Sequence, residues 1–190
     1  ARRPPTQNGA SAPLSVSRFM DSTVTETEEA RYAELQQMAL DFARSGNTEL
    51  LDSMVDAGMP VNLSDARGNT LLMLAAYHGW LDTAKMLLDH GADVDRRNTH
   101  GQTPLGGVAF KGDAQLVDLL LDYGADINAD NGVGMTPIMF AAMFGRTQVV
   151  EQLRAHGASL KCRNRLGMSA RLVIRISRFL GRLLPHRRSG

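Results

Sequence analysis

Apolar residues in this chain recur at the three- and four-residue spacing of helices, in short runs that glycine interrupts. The first two runs lie on either side of Gly46, and the second run ends before Gly58. This pattern predicts two antiparallel helices within residues 30–64, with Asn47 or Thr48 as the N-cap of the second helix. The chain therefore begins its regular structure as a helix–turn–helix unit.

The same pattern then repeats with a period of 33 residues. Three glycine series carry that step: Gly46, Gly79, Gly112 and Gly145; Gly58, Gly91, Gly124 and Gly157; Gly68, Gly101, Gly134 and Gly167. A fixed period of this length indicates a solenoid in which each repeat buries its apolar face against its neighbours. The first unit, about residues 30–64, has polar outer residues and is predicted to be the N-terminal cap of this stack. The units that follow are residues 65–97, 98–130 and 131–163, with a partial fifth unit from residue 164.

Each middle unit opens with turn chemistry followed by a helix start, as in Gly101-Gln102-Thr103-Pro104-Leu105. Glycine permits the positive φ of the turn, Thr103 is expected to cap the helix, and Pro104 suits its first turn. A pair of small residues, a glycine break and a leucine-rich second helix follow. The second helix ends at Gly-Ala-Asp or Gly-Ala-Ser, which is typical of a left-handed C-terminal glycine.

These motifs resemble ankyrin repeats, and the resemblance covers about residues 33–168. It implies an all-α solenoid of stacked helix–turn–helix units joined by β-hairpin-like loops, with the repeats over residues 30–168. The chain departs from the family where His usually follows Thr-Pro-Leu, because Met73, Gly106 and Met139 stand there. Two glycines at 106 and 107 predict the weakest helix of the stack, since each costs about 1 kcal/mol relative to Ala in a helix.

The resemblance also implies a non-enzymatic module that binds a protein partner in its concave groove. The hairpin tips and the two residues before each glycine break are then the candidate contacts: Arg67, Asn69, Tyr77, His78, His100, Gln102, Phe110, Lys111, Val133, Met135, Met143 and Phe144. Aromatic, Met and Arg side chains are the types that interface cores favour. The alternative for Tyr77, Phe110 and Phe144 is that they pack between adjacent repeats as extensions of the core.

The two ends of the chain differ from the repeats. Residues 1–29 are rich in Pro, Ser and Thr, and this composition predicts a disordered segment that precedes a helix beginning near Thr27. The chain does not open with Met, and Met20 is a candidate translation start. In the fifth unit, Arg171 and Arg175 replace buried apolar positions, so this helix is expected to rotate away from the repeat position.

Charge is distributed unevenly along the chain. Residues 161–190 contain nine Lys or Arg and no acidic residue, whereas residues 1–160 contain 12 basic and 20 acidic residues. Residues 169–190 are predicted to form a basic amphipathic helix or tail, with one stripe of Arg171, Arg175, Arg178 and Arg182. Three interpretations stay open: a cap on the stack, a peripheral membrane or acidic-partner site, and a disordered tail.

No catalytic motif is found in the sequence, and no cofactor or metal site is predicted. The five histidines form no His-x-x-x-His pair, and the one cysteine, Cys162, allows no intrachain disulfide. No apolar run reaches the length of a membrane span, and no secretory signal is found. These observations lead us to expect a monomeric cytoplasmic protein without a nucleic-acid partner.

Overall fold

The computed structural model describes the backbone of residues 16–183 and the side chains of residues 27–181. The chain divides after Gln36 into two compact units. Within the described residues all regular structure is helical: α1 Val16–Ser45, α2 Thr48–Asp56, α3 Leu71–His78, α4 Leu81–Asp89, α5 Pro104–Lys111, α6 Ala114–Asp122, α7 Pro137–Met143, α8 Thr147–Ala155 and α9 Ala170–Leu183. The predicted all-α class is confirmed.

Helix α1 begins much earlier than the sequence pattern predicts. It starts at Val16, so the expected disorder is wrong for residues 16–29, while residues 1–15 lie outside the described part. The sequence contains no Gly or Pro between Pro13 and Gly46. Because a helix propagates at little cost until such a residue stops it, the packed end of α1 extends towards the N-terminus despite the polar composition.

In the second compact unit, which contains the repeats, the helices form two layers. First helices α3, α5, α7 and α9 pack side by side, and second helices α2, α4, α6 and α8 form the other layer. Leu72, Leu105 and Ile138 recur at one register position, and all three are completely buried in a continuous core. The period of 33 residues is therefore also the period of the core. Burying a side chain of this size contributes about 1.5–3 kcal/mol to stability.

Two of the three predicted threonine caps form. The hydroxyl oxygens of Thr70 and Thr103 accept from the backbone N–H groups of Met73 and Gly106, each at 3.2 Å. The Thr136 hydroxyl is buried and has no partner among the described residues, so this predicted side-chain cap is wrong. The Met139 N–H donates instead to the Thr136 carbonyl oxygen at 2.9 Å.

The hairpin that opens the fourth unit departs from the others. The carboxamide oxygen of Asn98 accepts from two N–H groups within its own hairpin, both at 3.0 Å. The equivalent oxygen of Asn131 points into the stack, where it accepts from Thr103 N at 2.8 Å and Thr103 Oγ1 at 2.9 Å. A Cβ on Gly106 would lie 1.9 Å from that oxygen, so Gly106 makes room for the Asn131 side chain.

Helix α9 keeps the repeat register, and the expected rotation is wrong. The antiparallel bridge between Arg163 and Ser169 lies three periods after the bridge between Ser64 and Thr70. Ala170, Val173 and Ile174 of α9 are buried in the core beside α7. Both Arg171 and Arg175 are exposed. They occupy positions that would face a second helix of the same pair, and no such helix follows α9 within the described residues, so the guanidinium groups stay in solvent.

Candidate groove on the first-helix layer

A cavity lies where α3, α5 and α7 meet the hairpins of the second and third units. It has a volume of about 460 Å³. Its wall contains seven of the predicted groove residues: Arg67, Asn69, Tyr77, Gln102, Phe110, Met143 and Phe144. The remaining lining is mostly apolar and comes from α3, α5 and α7, including Met73, Leu74 and Phe140. Pockets that bind partner side chains have this composition, with an apolar wall and a few polar groups.

Tyr77, Phe110 and Phe144 form a continuous series of ring contacts, which we call the aromatic ladder. The rings of Tyr77 and Phe110 are stacked with centroids 6.5 Å apart. The Phe110 and Phe144 rings meet edge to face at 4.3 Å. Tyr77 and Phe144 are nevertheless 43% and 44% exposed. These rings therefore contact one another across repeats and also present a surface to solvent.

Positive charge lies beside Tyr77, the first ring of this ladder in the sequence. The Lys111 ammonium is 4.8 Å from the centroid of the Tyr77 ring, within the range of a cation–π interaction. The imidazole of His78 packs edge-on against the same tyrosine. At the hairpin tips, Arg67 and His100 are exposed. Neither Arg67 nor Lys111 forms an ion pair with an acidic residue in the described part of the chain.

Met135 is placed differently from the prediction. Its side chain is only 7% exposed, and its sulfur lies 3.5 Å from Nδ2 of Asn164, so its assignment to the open groove is wrong. The hairpin of the next unit covers it, because Arg165 N–H donates to the Val133 carbonyl oxygen at 2.8 Å. Val133 itself is exposed and adopts a positive φ of 53°. This hairpin tip thus presents Val133 and withdraws Met135.

Asp65 organises the first hairpin beside the groove. Burial raises the pKa of its carboxyl, but hydrogen bonds from the Asn69 side chain and from the backbone N–H groups of Asn69 and Arg67, with the nearby Arg44 charge, bring that pKa below its ordinary value. Arg44 contacts Asp65 at 3.2 Å and Asp41 at 2.8 Å. The ionised carboxylate therefore holds the tip in the conformation that presents Arg67.

Sequence reasoning missed two residues that connect neighbouring units. The Trp80 indole N–H donates to the Arg44 carbonyl oxygen at 2.8 Å, and its ring lies against Gly46. Arg146, two periods later, makes the equivalent contact with the Phe110 carbonyl oxygen at 2.9 Å and lies against Gly112. The available signal was their shared register directly after a glycine break.

Acidic and histidine side chains come together between neighbouring second helices. His90 Nε2 lies 2.7 Å from Asp52, and His156 Nε2 lies 3.5 Å from Asp118 at the same register position. Asp52, Asp56 and His90 are the described side chains whose ligand atoms come within 4.8 Å of one another. They lie on the surface of the second-helix layer, and the hydrogen bond between His90 and Asp52 links adjacent repeats.

The arginine stripe of α9 does not act as a unit in the structure. Arg178 pairs with Glu151 of α8, whereas Arg171 and Arg175 have no acidic partner within residues 27–181. The side chain of Arg182 lies outside the described residues. Leu172, Ile176, Phe179 and Leu180 of the same helix are exposed. No helix of the described chain is both long and apolar enough to span a membrane.

The model of a family described as ankyrin repeats, in three copies, matches residues 39–131 and 107–171. The chain belongs to the ankyrin repeat family. A curated protein of Pseudomonas aeruginosa, whose name describes it as an ankyrin repeat protein, is 43% identical over 53 residues, which are 28% of this chain and 31% of that protein. The match spans about a third of this relative. Ankyrin repeats are in general protein–protein interaction modules.

Proposed function

We propose that this ankyrin stack binds a protein partner on its first-helix layer, with the aromatic ladder as the centre of the contact. The observation that carries the proposal is the half-exposed state of Tyr77 and Phe144 at a cavity of about 460 Å³. Exposed apolar patches rimmed by polar groups mark interaction sites. Arg67, Asn69, His100 and Gln102 of the hairpin tips then supply the polar rim.

The ladder is suited to this role because its rings are already ordered. Tyr77 and Phe144 each contact Phe110, so a partner does not have to immobilise freely rotating side chains. Aromatic residues with few rotatable bonds present large contact areas at low entropic cost, and they are common among interface hot spots. Enzymatic function has no comparable support from the described side chains.

Capture of partners from cells that express the protein tests this proposal. The variant Tyr77→Ser/Phe110→Ser/Phe144→Ser is expected to lose the bound proteins while its circular dichroism spectrum stays helical. Leu50→Ser removes an exposed apolar side chain that lies outside the cavity, and it is the matched control. Partner capture that survives the triple substitution in a folded protein would reject the groove as the binding surface.

A second candidate function is attachment to an anionic membrane surface through α9. Exposed Leu172, Ile176 and Phe179 lie beside Arg171 and Arg175, which is the arrangement of an interfacial helix. Deletion of the helix is a poor test, since Val173 and Ile174 belong to the core.

Substitution on the exposed face of α9 provides the test. Co-sedimentation with vesicles that contain phosphatidylserine should fall for Ile176→Ser/Phe179→Ser and for Arg171→Gln/Arg175→Gln. If the unsubstituted protein does not sediment with these vesicles, the membrane function is rejected.

A further inference from the structure

Groove positions change character systematically along the stack. At the hairpin tip, successive units place Arg67, His100, Val133 and Leu166; two residues later they place Asn69, Gln102, Met135 and Met168. At the end of the first helix they place Tyr77, Phe110, Met143 and Ile176. The second and third units therefore present polar, cationic and aromatic groups at these positions. The exposed residues of the fourth and fifth units at these positions are aliphatic or methionine, namely Val133, Met143, Leu166 and Ile176, and Phe144 adds the last ring of the aromatic ladder.

A second cavity extends the groove into the fifth unit. It has a volume of about 150 Å³ and lies between α7 and α9. Met143 lines both cavities, so the two are neighbours along the stack. The rest of its wall is largely apolar and includes Met168, Ile176 and Leu180, with Asn164 and Ser177 as the polar groups. Leu166, at the tip of the same unit, is 81% exposed.

The charge of the groove is opposite to that of the repeat body. None of the residues that line the two cavities is acidic. The acidic side chains of residues 41–151 do not line the cavities: they lie on the second helices at Glu49, Asp52, Asp56, Asp82, Asp89, Asp118, Asp122 and Glu151, in hairpins, caps and loops at Asp65, Asp93, Asp95, Asp113, Asp126 and Asp130, and on α1 at Asp41. Arg44 shares the register of Tyr77, but its charge is compensated by Asp41 and Asp65. Arg67 and Lys111 have no acidic partner within the described residues; Arg67 lines the same cavity as Tyr77, and Lys111 lies 4.8 Å from the Tyr77 ring.

We infer that the groove is polarised and accepts an acidic–apolar segment of a partner protein, which rests on the proposed function of the groove. Acidic side chains of the segment lie at Arg67 and Lys111, and its apolar side chains fill the surface from Met143 to Leu166 and Ile176. Complementary charge fixes the direction of a bound segment and excludes the reverse one, because reversal leaves the carboxylates on an apolar wall without partners. The binding surface therefore includes the fifth unit.

Selection from a display library of random peptides, followed by titration of one synthetic winner, tests this inference. Selected peptides should carry Asp or Glu towards one end and Leu, Met or aromatic residues towards the other. The variant Arg67→Glu/Lys111→Glu should weaken the Kd of the winner by about tenfold or more. A winner in which Lys replaces its acidic residues should regain affinity for that variant. Leu166→Ser/Ile176→Ser should weaken binding by a similar factor.

The control variant Lys85→Glu/Arg154→Glu makes the same charge change at exposed residues of the second helices α4 and α8 that line neither cavity, and it should leave the Kd within about twofold at physiological salt. Peptides that need the aromatic ladder but show no acidic preference and no response to Arg67→Glu/Lys111→Glu would overturn the polarity and leave the proposed function standing. Unchanged binding to Leu166→Ser/Ile176→Ser would overturn the extension into the fifth unit. Selected peptides that bind Tyr77→Ser/Phe110→Ser/Phe144→Ser unchanged would overturn the proposed function itself.

Discussion

Glycine at positions 106 and 107 illustrates how neighbouring residues of one type have different roles. The sequence pattern predicts only that the pair weakens α5. In the structure Gly106 makes room for the buried Asn131 side chain, whereas a Cβ on Gly107 would meet Tyr77 Cδ2 at an ordinary 3.7 Å. The direction of the Asn131 side chain depends on a residue 28 positions away, which local periodicity does not encode. The same limit applies to Met135, whose burial comes from the following hairpin.

The two glycines should respond oppositely to alanine. Gly107→Ala is expected to raise the free energy of unfolding by about 0.5–1 kcal/mol, because alanine lowers the entropy lost by the backbone on folding. Gly106→Ala should lower it by about 1–3 kcal/mol, because Asn131 and Thr103 lose their buried hydrogen bonds. Urea titrations of both variants measure this difference. Equal stabilisation by the two substitutions would show that Asn131 does not occupy the space beside Gly106.

Asp65 should make the free energy of unfolding depend on pH in the acidic range. Its folded-state pKa lies below the ordinary value of 3.8, so the stability it contributes is complete at pH values above that value and is lost as pH falls through the lowered pKa. Asp65→Asn keeps the hydrogen-bond acceptor but lacks the charge. We expect the melting temperature of this variant to fall less steeply than that of the parent between about pH 5 and pH 2. Parallel acid profiles of the two proteins would exclude this contribution.

At the scale of elements, the sequence predicts the order and type of α2 to α8 because period, caps and glycine breaks agree there. The two terminal helices were harder to predict. No Gly or Pro interrupts the chain between Pro13 and Gly46, so α1 begins at Val16, earlier than the polar composition predicts. Helix α9 places Arg171 and Arg175 at normally buried positions, yet Val173 and Ile174 at the neighbouring positions keep it in register. The buried residues Val173 and Ile174 are therefore enough to keep this helix packed against α7.

The two apolar faces of α9 should therefore differ in their effect on stability. Val173→Ser/Ile174→Ser is expected to lower the free energy of unfolding by at least about 2 kcal/mol, because it removes buried methyl groups and introduces hydroxyls. Leu172→Ser/Ile176→Ser removes two partly exposed side chains and should cost less than half as much. Thermal denaturation followed by circular dichroism compares them. The reverse order would mean that α9 packs through its other face.

The whole stack has a polar start that matches its solenoid architecture. Asp41 stands at the register position that Leu74 and Phe140 occupy in later units, and it is exposed. A charged residue at this position suits the first repeat of a stack, and within the described residues no repeat precedes this one. The aliphatic surface of α9 is at the other end. The solenoid is thus asymmetric in both its ends and its groove, a property that period and composition predicted only in part.

Removal of the first repeat should make the remaining stack aggregate. A chain without residues 27–62 is expected to form large species, because the apolar residues of α3 that the first repeat covers become exposed. A chain that begins at residue 37 keeps Asp41 and the buried residues Ala39 and Leu40, and it should stay dispersed. Size-exclusion chromatography with light scattering distinguishes these outcomes. A helical, monomeric product of the larger deletion would contradict the capping role.

The central claim, that the partner lies on the first-helix layer, can be tested by site-specific photocrosslinking in cells. A benzophenone amino acid is introduced at Tyr77 in one variant and at Tyr123 in another, because these residues have similar exposure, 43% and 37%, on different layers of the stack. We predict that the partner crosslinks at position 77 and not at position 123. Crosslinking at position 123 with none at position 77 would contradict the account.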